Sequence, residues 1–327
     1  MQLGQIQFGA AFRIMLKTAP IMLLRLGLYL AFWVVSIIYF AAVAGIGYVL
    51  SQVWPAAGVI AVIVAIVALI PLYRLANRYV FYLVKAAQLA VVVQILENGE
   101  LPQGVSQFAF GKDRIAERFG EVSVMFVVDA LIDGVIRGFS GMLTAALSWI
   151  PGGIGKTISD VTTRIVHYAG NYVDEAVLAR AFWRKDESVW QSAREGLVLY
   201  GMVWKPLLMN AVALMLLSYV PFILVVVLLS APAGLLLGAI SQPLGALSIV
   251  IVVVLALLVK VAIGDSFAMI AMVAAYYHST RGLTPDPAME ARLTSISNKF
   301  GEIRDRALAT RQPSSGLPAA GDPFVSE

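Results

Sequence analysis

Two long stretches of the chain contain no charged side chain, Leu26 to Tyr73 and Pro206 to Val259. Each can hold two apolar helices of about 20 residues with a turn between them. Turn residues fall where the joints are needed. Ser51-Gln-Val-Trp-Pro-Ala-Ala-Gly58 divides the first stretch, and Ala231-Pro-Ala-Gly234 and Ser241-Gln-Pro-Leu-Gly245 divide the second. The pattern predicts membrane spans near 24–50, 58–73, 206–230 and 244–260, the second and fourth continuing as helices past the apolar run. The piece GLLLGAI, 234–240, is too short to cross and is expected on the outer face.

The segment 122–190 follows a different pattern. In VSVMFVVDALIDGVIRGFSGMLTAALSWI, the residues Asp129, Asp133, Arg137, Ser140, Thr144 and Ser148 recur every three or four positions. They form one polar stripe, about 100° wide, on an otherwise apolar helix. Pro151-Gly-Gly breaks that helix, and a second one follows with Lys156, Asp160, Arg164, His167, Asn171, Asp174 and Glu175 near one face. The hairpin can lie at the interface, with Asp133 and Arg137 as an ordinary i, i+4 pair. Alternatively it enters the bilayer, where its stripes line a hydrated path and the irregular backbone at Pro151 is tolerated against a cavity.

Composition agrees with the spans. Hydrophobic residues make up 60% of the chain and charged ones only 13%, well away from a soluble domain, and mean hydropathy is +0.83. The basic residues all fall within 1–25, 74–205 and 260–327, which four spans place on one side, and the two hairpin tips are uncharged. By the positive-inside rule both termini are cytoplasmic, and a bacterial inner membrane is the expected location. The first apolar run is too long for a signal-peptide core, so a retained span is expected there. With no cysteine, thiolate chemistry and disulfides are excluded. The basic residues are interleaved with Asp and Glu and flank spans, which points to the lipid bilayer rather than nucleic acid as the partner.

The two halves resemble each other. Gly99, Pro102 and Arg118-Phe-Gly-Glu121 follow the second span; Gly282, Pro285 and Lys299-Phe-Gly-Glu302 follow the fourth. Amphipathic lead-ins carry Arg13 and Pro20 before one hairpin, Arg194 and Pro206 before the other. This suggests a parallel duplication, an arrangement found among transporters. It divides the chain into unit A (1–122), the insert (123–190), unit B (191–306) and a Pro/Ser/Gly-rich tail (307–327) expected to be disordered. The expected fold is therefore all-α and polytopic.

Several motifs carry less. Pro151 to Asp160, PGGIGKTISD, resembles the deviant phosphate loop of the partitioning-type ATPases. It follows an amphipathic helix where a phosphate loop needs a strand, so no nucleotide is expected. Ser192-Ala193-Arg194 and the Leu-rich continuation resemble a segment of choline-transporter-like proteins, but the chain upstream departs from that pattern. His167 and His278 lack carboxylates at ligand spacing, no catalytic triad can be assembled, and neither a metal, a cofactor nor an enzyme activity is expected. Gly134xxxGly138 and Gly234xxxGly238 suggest close helix packing or a homo-oligomer.

The remaining charges in apolar surroundings are Lys260 and Asp265. Five residues apart, they are about 140° around a helix and share a face only if the backbone distorts at Gly264. Lys260 is expected at the inner interface. The leading functional expectation is an oligomeric channel or transporter-like protein for an ion or small solute. Its path residues would be Asp129, Asp133, Arg137, Ser140, Thr144, Asp160, Arg164 and His167, with Lys260 and Asp265 secondary. The alternative is a scaffold or assembly factor whose cytoplasmic helices and basic-Phe-Gly-Glu segments bind a protein partner or anionic lipid.

Overall fold

A computed structural model describes residues 8–120, 122–147 and 172–311. The described chain is helical, and the protein is an all-α polytopic membrane protein. Four helical segments are long and apolar enough to cross a membrane: Ala19–Val53, Pro55–Asn98, Ala213–Ile240 and Gln242–Thr280. The Pro151 loop and the second insert helix with Asp160, Arg164 and His167 lie outside the described residues, as does the tail beyond Arg311.

The described residues open with α1 (Phe8–Lys17), which packs Ala11 and Ile14 inward, and continue into α2 (Ala19–Val53). At about 1.5 Å per residue α2 exceeds the bilayer core. Its first turns belong to the body of the protein: Ile21, Met22 and Arg25 are buried, and most of the helix after them is exposed apolar surface. Trp54, in extended backbone, turns the chain, and Pro55 starts α3 (Pro55–Ala76), where its missing N–H costs nothing. A Cβ on Gly58 would lie 3.0 Å from the Gly47 carbonyl oxygen, so this glycine pair lets the two helices cross closely near the tip.

The second hairpin is α9 (Val220–Ile240) and α10 (Gln242–Val259). Here the third span differs from its sequence expectation. α8 (Val189–Ser218) runs through Pro206 with a kink at Val203, so Pro206 lies inside a long helix rather than at a span start. α9 runs through Pro232 to Ile240, so GLLLGAI completes the span. The turn comes only at Ser241, whose hydroxyl accepts from the Leu244 N–H. A proline removes one backbone donor and can be absorbed as a kink; it punctuates a helix only when the next residues also favour a turn. Gly234xxxGly238 is used within the hairpin, where Gly245 sits against Gly238.

Both hairpins leave through a π-helical turn. Asn77–Phe81 follows α3, closed by the Tyr82 N–H on the Asn77 carbonyl, and Lys260–Gly264 follows α10, closed by the Asp265 N–H on the Lys260 carbonyl. Each turn leads into a buried helix, α4 (Tyr82–Asn98) or α11 (Asp265–Thr280). After these helices come Gly99 and Gly282, each with φ of 81°, a left-handed conformation that glycine alone adopts without strain. Turn to turn (77 to 260) and glycine to glycine (99 to 282), the spacing is the same.

Around α4 and α11 the described residues outside the hairpins form one helical body. It comprises α5 (Gln107–Phe119), α6 (Val122–Leu147), α7 (Val173–Trp183), α8, α12 (Pro287–Ile296) and α13 (Asn298–Arg311), with α1 beside them. α5 is capped by the Ser106 hydroxyl and α12 by the Asp286 carboxylate. Small residues permit the closest crossings. A Cβ on Gly111 of α5 would lie 2.5 Å from the Ala87 carbonyl oxygen of α4, and Gly134 and Gly138 of α6 face Lys299 and Ile296. Phe119 and Phe300 are core residues.

The basic residue before Phe119 is also spent internally. The Arg118 guanidinium donates to the carbonyls of Ala181 at 2.5 Å and of Arg184 and Glu187 at 3.0 Å, closing the C-terminal end of α7. A cation there also opposes the negative end of the helix dipole. Arg118→Ala leaves those carbonyls without their charged donor and is expected to cost about 2 kcal/mol, read by denaturant unfolding, with Arg118→Lys recovering part of the loss.

Candidate functional site

From Leu83 to Val93, α4 is a run of small and branched apolar residues with two polar interruptions, Lys85 and Gln88. Ala86, Ala87 and Ala90 let neighbours approach, so the polar pair is drawn into the body. The Lys85 ammonium pairs with Glu175 of α7, whose side chain is 5% exposed against 27% for the lysine. Asp174, beside Glu175, and Asp129 of α6 sit against the same ion pair, and the Tyr82 hydroxyl lies next to Asp129. Tyr82 and Phe126 pack at 5.3 Å between ring centres, fixing α4 against α6.

This cluster is under-satisfied. The Tyr82 hydroxyl, Asp129 Oδ1, Asp174 Oδ1 and Glu175 Oε2 are buried with no hydrogen-bond partner among the described residues. Burial pushes the Asp129 carboxyl up to about 6, against the opposing pull of Tyr82 and Lys85. Asp174 is pushed up by burial first and by neighbouring Glu175 second. Buried groups without partners are rare in native proteins because each costs its full desolvation penalty. Where several converge with perturbed acidity, a functional role is the first reading.

From Lys85 a polar thread runs along α4 and across to the first turn of the helix that follows the second hairpin. Gln88, one helical turn on, is fully buried, and its Oε1 lies 3.2 Å from the Ser266 hydroxyl at the start of α11. Ser266 donates to the Ala262 carbonyl at 2.7 Å and accepts from Arg25 Nη1 at 3.2 Å. Arg25 is the last charge before the first apolar run, and its guanidinium reaches Tyr29 at 3.4 Å. Lys260 and Asp265 close the thread: the ammonium lies 2.7 Å from Oδ1 and 4.9 Å from the centre of the Tyr219 ring. The π turn is the distortion that lets residues five apart share a face.

The residues singled out from sequence therefore separate. Asp129 belongs to the buried cluster. Asp133 and Arg137, one turn further along α6, pair with each other and are 56% and 64% exposed. Ser140 and Thr144 continue on α6, whereas Asp160, Arg164 and His167 lie outside the described residues. His278 packs edge-on against Tyr277, and no group of three metal-ligating side chains occurs among the described residues.

Sequence reasoning misses Tyr82, Lys85, Gln88, Ser266 and Arg25 as site members and gives Asp174 and Glu175 only a place on a polar helix face. One signal is present, a lysine and a glutamine spaced i, i+3 in the apolar run YLVKAAQLAVVV. Comparison of the chain with protein-family models, with curated proteins and with solved structures gave no match.

Proposed function

We propose that the protein moves an ion or small solute across a membrane, with the Lys85 cluster as its working site on the cytoplasmic side. The observation that carries this reading is the cluster itself: three carboxylates and one ammonium held together in a buried position, linked by Gln88, Ser266 and Arg25 to the inner ends of both hairpins. A purely structural core of this size would be more stable with apolar residues there. The charge-free hairpins of one chain bury little of their surface against each other, so a route through the bilayer forms between copies in a homo-oligomer. The matched π turns and left-handed glycines support a duplicated unit, with the cluster formed where the insert's Asp129, Asp174 and Glu175 meet Lys85 of unit A.

Flux into proteoliposomes under imposed proton, sodium and potassium gradients tests the reading. The parent is expected to transport, and Asp129→Asn with Asp174→Asn to lower the rate at least about tenfold, the loss of one charge-stabilising site. Absence of flux in the parent under every gradient sinks it.

A scaffold role is the second reading, favoured by the large helical body that the two apolar hairpins adjoin. It does not draw on the Phe-Gly-Glu segments, since Arg118 is bound to α7, Lys299 pairs with Glu302, and both phenylalanines are core.

A further inference from the structure

Among the described residues, the Lys85 cluster contains three carboxylates and a single cation. Glu175 is neutralised by its ion pair with Lys85, and Asp129 and Asp174 have no cation of their own among the described residues. Among the described residues, the surrounding elements supply none. On α2, Arg25 is turned to Ser266 and Tyr29, and at the second π turn Lys260 is held by Asp265. Arg78, in the first π turn, lies over the Phe126 ring at 5.5 Å, and on α6 Arg137 is taken by Asp133. Two uncompensated carboxylates cannot both stay ionised in a buried site. With no further cation among the described residues, a bound positive ligand would relieve them.

We propose that this positive ligand is the proton, and that Asp129 and Asp174, with the Tyr82 hydroxyl beside them, form an exchangeable proton-binding site next to the permanent Lys85–Glu175 pair. Binding converts one carboxylate to a carboxylic acid, whose O–H adds a donor to a site where the Lys85 ammonium and the Tyr82 hydroxyl face three carboxylates. Carried by one unpartnered carboxylate oxygen, the proton can be donated to another, so it relieves two of the unpartnered oxygens of Asp129, Asp174 and Glu175. A metal ion fits less well, because the Lys85 ammonium already pairs with Glu175 and acts on the other two carboxylates, and no metal-ligating group of three is assembled among the described residues. Burial sets the acidity of Asp129 near 6, within the range where a proton is gained and lost at cellular pH.

The inference rests on the transport reading only for its purpose, and its test needs no flux. Purified full-length protein in detergent is titrated from pH 5 to pH 9 while the carbonyl stretch of protonated carboxyl groups is followed by infrared difference spectroscopy. The parent is expected to show a protonated-carboxyl band that fades as pH rises. Asp129→Asn and Asp174→Asn should each remove at least half of that band, and the double variant all of it. Circular dichroism identifies any variant that fails to fold, and for such a variant Glu replaces Asn at the same position and should shift the midpoint.

No titrating band in the folded parent overturns the proposal, as does a band that survives in the double variant. A midpoint displaced tenfold in proton concentration by added sodium or calcium would make the ligand a metal cation and also overturn it. A band without flux retains the proton site and rejects transport; flux without a band does the reverse.

Discussion

Lys85→Met is expected to destabilise the protein by about 3 kcal/mol near neutral pH, because it removes the only ammonium facing three carboxylates among the described residues. Breaking one side of a buried ion pair costs about 3–5 kcal/mol, and the lower end applies because the lysine side chain is 27% exposed. Methionine keeps the apolar stem, so little packing is lost and the effect reports on charge. The variant Lys85→Met with Glu175→Gln should recover most of the loss, giving a coupling energy of about 1–3 kcal/mol in a double-mutant cycle.

The sign of the pH dependence follows from the carboxylates. Asp129 and Asp174 are both held above their ordinary range, and the Lys85 charge is what pulls them down. Without it they rise further, so the native state binds more protons than the unfolded chain over a wider range. Stability of the single variant then increases as pH falls from about 8 to 5, and is lost as pH rises through the native values. Thermal melting in detergent across that range reads the slope. A flat profile, or a variant as stable as the parent at pH 8, would show that Lys85 is not compensating these carboxylates.

The spans are legible in the sequence because a charge-free run of this length has few alternatives, whatever its detailed order. The departures, at 206 and 231, come from prolines that read as punctuation although the helix continues past both Pro206 and Pro232. The polar stripe on α6 is legible as a stripe, but its two aspartates have opposite fates. Asp129 meets Lys85, and Asp133 meets Arg137 on the outside. Local spacing cannot distinguish them, because the difference is made by α4 and α7, remote in sequence. Lys85 is equally opaque, since a lysine just after a span reads as interfacial until the helices around it are placed. The Lys260–Asp265 pair is half legible: the need for a distortion follows from helix geometry, and its form, a π turn, does not.

That π turn carries the second large effect. Gly264 is its last residue, and a Cβ there would fall well inside van der Waals distance of the Ser218 carbonyl oxygen at the end of α8. The obstacle is backbone, so no side-chain rotation relieves it. Gly264→Ala must move either α8 or the turn, and overpacking of this kind costs about 1–3 kcal/mol, with the top of that range expected here. Gly264→Val, with two further methyl groups, should prevent accumulation of folded protein. Gly301→Ala is the control, since that glycine is helical and a methyl group there would meet nothing within 4 Å, so alanine should be neutral or stabilising by about 0.5–1 kcal/mol. Because the turn also aligns Lys260 with Asp265 and places Ser266 between Gln88 and Arg25, a folded Gly264→Ala should disturb the polar thread as well as stability. Double-mutant cycles between Lys260→Met and Asp265→Asn, run in the parent and in Gly264→Ala, separate the two effects. A coupling energy that falls toward zero in the glycine variant marks the π turn as the element that positions the pair. An unchanged coupling with lowered stability assigns Gly264 to packing against α8 alone.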